Sequence, residues 1–362
     1  MLAWLGAVWY GFPSRSMKLI AVTGTKGKST TCFMIAKIFE EQGKAVAMIG
    51  SLGSKIKNQS WPNTLKMTMP GRFKLQKFLY EAKRAGCEYV VMEATSEGIA
   101  QHRLKGISVD CAVITNIHRE HIESHGSFEN YINAKKKLFW HTRNIHIINA
   151  DDKITNEFKK IPAQRTLFFR NEDMTLQLAG SFNISNASAA LAVTRAYGLD
   201  EQKALRTLTD IVEVPGRMQY VQREPFAVVV DYAHTPDSLE AVYKTLKNQN
   251  KLICVLGACG GGRDVWKRPV FGEIADRYCD EVILTNEDPY DEDPEKIISD
   301  IKSKKAVVVI DRKEAIIRAI HDATPHDTVI ITGKGSETSM ALAGGKQIPW
   351  SDFEIASGAL RK

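Results

Sequence analysis

Short β-branched apolar runs recur along the chain, each followed by a longer stretch in which apolar positions return every three or four residues. The runs at 18–23 (KLIAVT), 45–49, 89–93, 111–115, 145–149, 227–231, 252–257, 281–285, 306–310 and 328–332 predict strands. The longer patterns at 29–42, 73–85, 127–140, 185–197, 236–246, 267–278 and 312–323 predict helices. Alternation of this kind predicts parallel sheets with crossover helices, wound twice. The rhythm breaks at 212–221 (VEVPGRMQYV), where a helical stretch ends at Pro215-Gly216 and a new strand series begins. The expected fold is α/β with two doubly wound domains, 17–213 and 214–362, after a lead-in linker or helix at 1–16. The lead-in (MLAWLGAVWYGF) is apolar but lacks a basic flank, is too short to span a bilayer and has no A-x-A cleavage site, so it reads as a packed helix rather than a signal.

Composition narrows the class without fixing it. The 362 residues exceed what one core ordinarily holds. With 44% hydrophobic and 25% charged residues, disorder and fibrous folds are excluded. The net charge of +7 contains no like-charge block longer than Lys135-Lys136-Lys137 and suits an anionic small substrate as well as nucleic acid. Six scattered cysteines form neither CxxC pairs nor a disulfide-like framework, which predicts free thiols in a reducing cytoplasm.

The first chemical signal is VTGTKGKSTT at 22–31, a strand end, a glycine turn and Lys-Ser opening a helix. In that geometry backbone N–H groups and a helix N-terminus surround a phosphate, Lys28 contacts the terminal phosphates and Ser29 ligates Mg²⁺. The spacing Gly24-Thr25-Lys26-Gly27-Lys28-Ser29 is contracted, with valine at 22 where the common pattern has glycine. Glu93, at the end of the third strand (VVMEATSEGIAQHR), stands where a carboxylate can ligate a metal or order water. Four histidines (118, 121, 125 and 141) follow the next strand. Their spacing is not HExxH and no cysteine joins them, so Mg²⁺ with oxygen ligands and one imidazole is the better expectation than zinc. Asp231 ends a strand and could take a ribose hydroxyl pair. The loop VLGACGGGRDVWKRP is basic and glycine-rich, and TGKGSET carries Glu337, able to pair with a cationic amine.

Together these stretches resemble the Mur ligases, most closely the branch that makes the UDP-muramoyl-tripeptide (MurE). The carrying motifs are PSRSMKLIAVTGTKGKSTT, MEATSEGIAQHR, TNIHREHIESHGSFENYINAKKKLF, GSFNISNASAAL, VPGRMQYV, DYAHTPDSLE, GGGRDVWKRP, TNEDPYDEDP and GKGSE, spread from about residue 7 to residue 337. The resemblance implies a central P-loop-type ATPase domain with a mostly parallel sheet and a C-terminal Rossmann-like domain. It implies ATP and Mg²⁺, two ions, as cofactors. It also implies a cytoplasmic monomer acting on small molecules, a UDP-muramoyl-peptide and an amino acid, with no nucleic acid and no membrane insertion. ATP would phosphorylate a carboxylate, and an amine would displace phosphate to leave an amide, a step of peptidoglycan precursor synthesis.

Roles follow position by position. Lys28, Glu93, His121 and Lys135 match the catalytic set, and Ser29, Glu93, His121 and Lys135 the metal set, with Lys135 matching the lysine carbamylated in this family. Gly24, Thr25, Lys26, Gly27, Lys28, Ser29 and Thr30, with Asn183, Asn186, Arg217 and Asp231, match the nucleotide site. Thr68, Thr95, Gln101 and Arg103 match contacts to the UDP-muramoyl-peptide. Arg268, Asp288, Tyr290, Gly333 and Glu337 match the amino-acid pocket.

The departures are local. EDPY at 287–290 stands where diaminopimelate-adding members carry DNPR, so Tyr290 replaces an arginine, which weakens meso-diaminopimelate and leaves lysine or another diamino acid open. Met69 replaces a threonine, Thr95 a serine, Glu97 a histidine and Glu120 an aspartate. The matched region starts at the linker that follows the family's UDP-binding domain, which makes a short form without that domain the expectation. Two alternatives remain: a superfamily ligase with another acceptor, as in folylpolyglutamate synthases or pseudomurein peptide ligases, and a non-catalytic nucleotide-binding partner.

Overall fold

The structure, a computed structural model, describes residues 2–65, 67–120, 122–247, 250–262 and 265–361. The chain divides into two compact units, one of residues 1–177 and 181–212, the other of residues 178–180 and 213–362.

Unit 1 carries strands β1 (Lys18–Thr23), β2 (Val46–Gly50), β3 (Gly53–Ile56), β4 (Gln59–Trp61), β5 (Tyr89–Glu93), β6 (Cys111–Ile114), β7 (Ile145–Asn149) and β8 (Arg165–Phe169). They form one sheet in the order β4-β3-β2-β5-β1-β6-β7-β8, parallel from β2 to β8, with β3 and β4 antiparallel at one edge. Its helices are α1 (Leu2–Trp9), α2 (Lys28–Glu41), α3 (Arg72–Arg84), α4 (Ser96–Ala100), α5 (Ile122–His125), α6 (Phe128–His141), α7 (Phe182–Ala196) and α8 (Glu201–Asp210). Leu19, Ala21, Val90, Met92, Ala112 and Ile114 face one layer, with Leu75 and Leu79 of α3 and Leu138 and Phe139 of α6. The intervening residues Ile20, Val22, Val91 and Val113 are also buried, so the central strands have no polar face.

Unit 2 carries β9 (Gln219–Gln222), β10 (Ala227–Asp231), β11 (Leu252–Leu256), β12 (Glu281–Leu284), β13 (Ala306–Val308), β14 (Thr328–Thr332) and a hairpin of β15 (Ser339–Ala341) and β16 (Gln347–Pro349). The main sheet runs β13-β12-β11-β14-β10-β9, parallel except for β9. Helices α9 (Pro236–Leu246), α10 (Lys267–Tyr278) and α11 (Pro294–Ile301) cover one face, and α12 (Arg312–His321) and α13 (Asp352–Leu360) the other. Alternate strand residues serve the two cores: Val229, Cys254 and Ile330 on one side, Val228, Ile253 and Val329 on the other.

The two wound sheets are those the strand–helix rhythm predicts. The elements without a sequence signal are short or polar edge pieces: β3, β4, β8, β9, β15 and β16, and the small helices α4, α5 and α11, beside α8 and α13. An edge strand buries one side or neither, so it needs no apolar run. In α1, Ala3, Gly6 and Ala7 face inward, while Leu2, Trp4, Leu5, Val8 and Trp9 stay exposed. Among the described residues no helix is long and apolar enough to cross a membrane.

One expectation is overturned. Cys254 and Cys279 form a disulfide, with Cα atoms 6.1 Å apart. They stand 25 positions apart in the sequence. They meet because Cys254 lies in β11 and Cys279 ends α10, which packs on that sheet. Cys32, Cys87, Cys111 and Cys259 are free thiols.

Candidate active site

In unit 1 the site forms where β1, β2, β5 and β6 end side by side. The turn after β1 leads directly into α2, whose N-terminus is Gly27 at φ 79°. A Cβ there would be both strained and in collision with the Asn186 carboxamide, so glycine is required. Asn186 is held by Asn183 (Nδ2 to Oδ1, 3.1 Å) and receives Thr31 Oγ1 at 3.4 Å, which brings both predicted asparagines of α7 to the loop. Asn116, just beyond β6, receives the Lys26 N–H at 2.9 Å and donates to the Lys26 carbonyl at 3.2 Å. Thr25 lies 2.8 Å from the Tyr131 hydroxyl and accepts the His118 N–H at 2.9 Å. The loop is therefore fastened from three directions before any ligand arrives. Lys28 folds back over it, donating to the carbonyls of Gly24 (3.0 Å) and Thr25 (2.8 Å), while Thr30 is buried in the first turn of α2.

Glu93, 2% exposed, lies beside this loop. Ser51 donates its N–H (2.8 Å) and hydroxyl (2.9 Å) to Glu93 Oε1, and Ser29 Oγ lies 3.1 Å from Glu93 Oε2 and 2.7 Å from Ser51 Oγ. Ser51 escaped the sequence reading. Its signal is positional, since it follows β2, the neighbour of β5 in the sheet.

Lys135 is 1% exposed, 2.9 Å from the Gly24 carbonyl, and its ammonium lies 4.6 Å from the centre of the Tyr131 ring. The spacing Tyr131, Ala134, Lys135, Leu138, Phe139 is the inward stripe of α6. Lys136 instead pairs with Glu157, and Lys137 is exposed. Burial, reinforced by the positive charge of Lys28, pushes the Lys135 amine well below the ordinary lysine range, while Glu120 opposes the shift. The described histidines do not converge: His125 meets Ser96 Oγ, His141 meets the Ile107 carbonyl, and His118 is exposed. His121 lies outside the described residues. Among the described residues no group of three or more His, Cys, Asp and Glu side chains is placed to hold a metal. The oxygens of Ser29, Ser51 and Glu93 nevertheless suit Mg²⁺, which takes one or two carboxylates and completes its shell from water and phosphate.

The residues predicted for the muramoyl-peptide gather at α4. Thr95 caps that helix, accepting the Gly98 N–H at 3.1 Å. Arg103 grips Gln101 Oε1 (2.7 and 3.1 Å) and the Met69 carbonyl, and half-buried Thr68 adjoins Met69.

Unit 2 holds the remaining candidates. Asp231, 7% exposed, accepts the N–H groups of Met218 (2.7 Å) and Ala233 (2.6 Å), and Arg217 lies 4.3 Å from the centre of the Tyr232 ring. Burial raises the Asp231 carboxyl, and Arg217 and the two N–H groups resist. Arg268 is buried and paired with Glu292 (2.7 Å) and Asp300 (3.0 Å). Asp288 and Glu337 both hold Lys334, a residue absent from the sequence reading, and Tyr290 and Gly333 (φ 52° and 108°) line the same loops.

A glycine loop at a helix N-terminus with a buried hydroxyl–carboxylate cluster beside it, followed by a second wound unit, defines a two-domain nucleotide-dependent α/β enzyme. Residues 22–171 match the Mur ligase middle domain, and residues 216–335 match the Mur ligase glutamate ligase domain. The chain is 36% identical to a UDP-N-acetylmuramoyl-L-alanyl-D-glutamate--2,6-diaminopimelate ligase of Thermosynechococcus vestitus, over 99% of this chain and 80% of the relative. It is 35% identical to a UDP-N-acetylmuramyl-tripeptide synthetase of Roseiflexus, over 99% and 81%. A solved structure of a UDP-N-acetylmuramoyl-L-alanyl-D-glutamate--2,6-diaminopimelate ligase superposes with a TM-score of 0.64 at 32% identity, covering 95% of this chain and 78% of that one. The chain belongs to the Mur ligase family, a family of ATP-dependent, ADP-forming ligases.

Proposed function

We propose that the chain joins an amino acid, through its α-amine, to the D-glutamyl carboxylate of UDP-N-acetylmuramoyl-L-alanyl-D-glutamate. Residues 17–213 would serve as the ATP-binding domain and 214–362 as the amino-acid domain. The observation that carries the reading is the buried Ser29–Ser51–Glu93 cluster beside the Gly24–Ser29 loop, in a chain whose relatives bear that substrate in their names. A carboxylate is a poor electrophile. Transfer of the ATP γ-phosphoryl to it leaves ADP and an acyl phosphate; the neutral amine then attacks the acyl carbon, phosphate departs and the amine loses its proton.

The loop N–H groups and α2 would seat the phosphates, with Lys28 turning from the Gly24 and Thr25 carbonyls onto them. Ser29 and Glu93 would hold Mg²⁺, which when bound offsets charge on the phosphoryl in transfer. Asn183 and Asn186 would flank the nucleotide, Arg217 its phosphates and Asp231 its ribose, each Asp231 oxygen keeping a further lone pair. Thr68, Thr95, Gln101 and Arg103 would contact the muramoyl-peptide. Arg268, Asp288, Tyr290, Gly333 and Glu337 would bound the amino-acid pocket. Lys135 is proposed as a carbamate, formed when its amine attacks CO₂ with release of a proton. Support lies in its burial and lowered pKa, because only the neutral amine reacts. His121 would join Lys135 at a second ion. A cytoplasmic monomer is part of the proposal, its compartment supported by the need for ATP rather than by the cysteines.

The test supplies ATP, Mg²⁺, UDP-muramoyl-dipeptide and a panel of amino acids, recording phosphate release and product mass. Amine-dependent release with a product heavier by one residue is expected. No release with the muramoyl substrate, or release with a folate instead, refutes it. Loss of activity in Lys135→Ala, restored by short carboxylic acids, is expected if the carbamate forms.

A further inference from the structure

A short helix with its polarity reversed covers one side of unit 1. Surface helices ordinarily turn their large apolar side chains inward. At about 3.6 residues per turn, Ala3, Gly6 and Ala7 of α1 share one arc and are buried, while Leu2, Trp4, Leu5, Val8 and Trp9 fill the opposite arc and are between 48% and 78% exposed. The small inner residues let α1 lie close to its neighbours. A Cβ on Gly6 would meet Phe73 and Gln76 of α3, and one on Gly106 would collide with Ala7. Tyr10 extends the contact, its ring 5.5 Å from Phe73 and 5.3 Å from Tyr80. The outer face therefore stands on a fixed base, and exposed Phe73 continues it. Large apolar side chains gathered in this way, rather than scattered singly, mark an interaction site.

The segments around this face are basic. Residues 1–16, 71–84 and 101–109 contain eight lysines and arginines and one acid, Glu81, so their net charge equals the +7 of the whole chain and the remaining residues balance. Arg72 and Arg103 are turned to the carbonyls of Gln101 and Met69, beside α4. Five of the others border α1. Lys74 and Lys77 are exposed next to Phe73 on α3, Arg84 lies 5.9 Å from the centre of the Tyr80 ring, Arg15 lies 4.2 Å from that of Phe12, and Lys105 is exposed in the turn that carries Gly106. Glu81 is paired with Lys77 at 3.6 Å.

We infer that this face is a docking surface for an anionic membrane, on which α1 lies without crossing it. The inference goes beyond the ligase reading and does not rest on it. Indole and aliphatic side chains suit the boundary between headgroups and acyl chains, and a rim of lysine and arginine suits acidic headgroups. From Leu2 to Trp9 the side-chain hydrogen-bonding groups are two indole N–H groups, so little fixes the angle of a protein partner, whereas a bilayer interface needs no fixed angle. A second copy of the chain fits less well, because a two-fold contact would set the same cations against each other.

The test sediments the full chain with vesicles of phosphatidylcholine alone and of equal parts phosphatidylcholine and phosphatidylglycerol. Binding to the phosphatidylglycerol vesicles should be at least about tenfold tighter, should fall at high salt and should shift tryptophan emission to the blue. Leu5→Gln with Trp9→Gln should weaken it about tenfold or more, and Lys74→Glu with Lys77→Glu at least as much. Both variants leave the packing of Ala3, Gly6 and Ala7 alone and should keep the wild-type circular dichroism. No sedimentation with the phosphatidylglycerol vesicles, or equal binding to the neutral ones, overturns the inference. So does full binding by either variant, which would put the lipid contact on another face. A dimer in lipid-free buffer that the α1 variant dissolves would overturn it as well, by giving the face to a second copy. The wild-type vesicle comparison decides the question even if a variant fails to fold.

Discussion

The phosphate loop of unit 1 and the acid cluster of unit 2 sit at the same place in two similar sheets, the carboxyl ends of parallel strands, yet are built on opposite electrostatic plans. In unit 1 Lys28 and Lys135 rest on backbone carbonyls, and the buried acid of the loop cluster, Glu93, is held by neutral hydroxyl and N–H groups. Lys28 and the N-terminus of α2 suit an anion. In unit 2, among the described residues, Asp288 and Glu337 share the one ammonium of Lys334, and Glu287 beside them is met by the Cys259 thiol. A shared wound architecture therefore leaves ligand choice to a few loop side chains.

The contrast can be broken from either side. The largest effect is expected in unit 2, where Arg312 and Asp352 are both fully buried and paired. Asp352→Asn leaves Arg312 without its counter-charge and should cost about 3–5 kcal/mol, read by denaturant unfolding followed through Trp350, whose indole N–H donates to Asp352. Next, Lys28→Ala should lower phosphate release by about 10²–10³ while the circular dichroism stays native. A smaller effect concerns pH. Because the fold raises the Glu287 carboxyl from 4.5 to about 7, its neutral form is the one folding favours. Its penalty is absent below the unfolded value, grows as pH rises between the two values and is complete above about 7. Glu287→Gln should accordingly raise the melting temperature by several degrees at pH 8 and hardly at all at pH 4.5. The smallest is Ser51→Ala, which removes one donor from Glu93. It should reduce kcat about five- to tenfold and raise the Mg²⁺ concentration needed for half-maximal rate.

Unit 1 was the more readable of the two because its site is local. Strand, glycine turn, Lys28 and Ser29 are consecutive, and the apolar runs of β1 and β5 announce their own burial. Lys135 stood out of its lysine run only through family likeness, although the inward stripe from Tyr131 to Phe139 carries the same information. Ser51 and Asn116 were missed because each acts from a strand adjacent in space and distant in sequence. Unit 2 was harder for the same reason, since Lys334, Glu287 and Cys259 come from three separate loops and meet only once the sheet is assembled. The Cys254–Cys279 bond belongs with them: a spacing rule cannot see a strand and a helix end that pack together.

The central claim is that this chain activates a muramoyl-peptide carboxylate as an acyl phosphate before any amine is joined. Incubating the protein with ATP, Mg²⁺ and UDP-muramoyl-dipeptide in hydroxylamine, with no amino acid present, tests it most directly. The dipeptide hydroxamate should appear in step with ADP; ADP formed without hydroxamate, or neither product, would contradict the account.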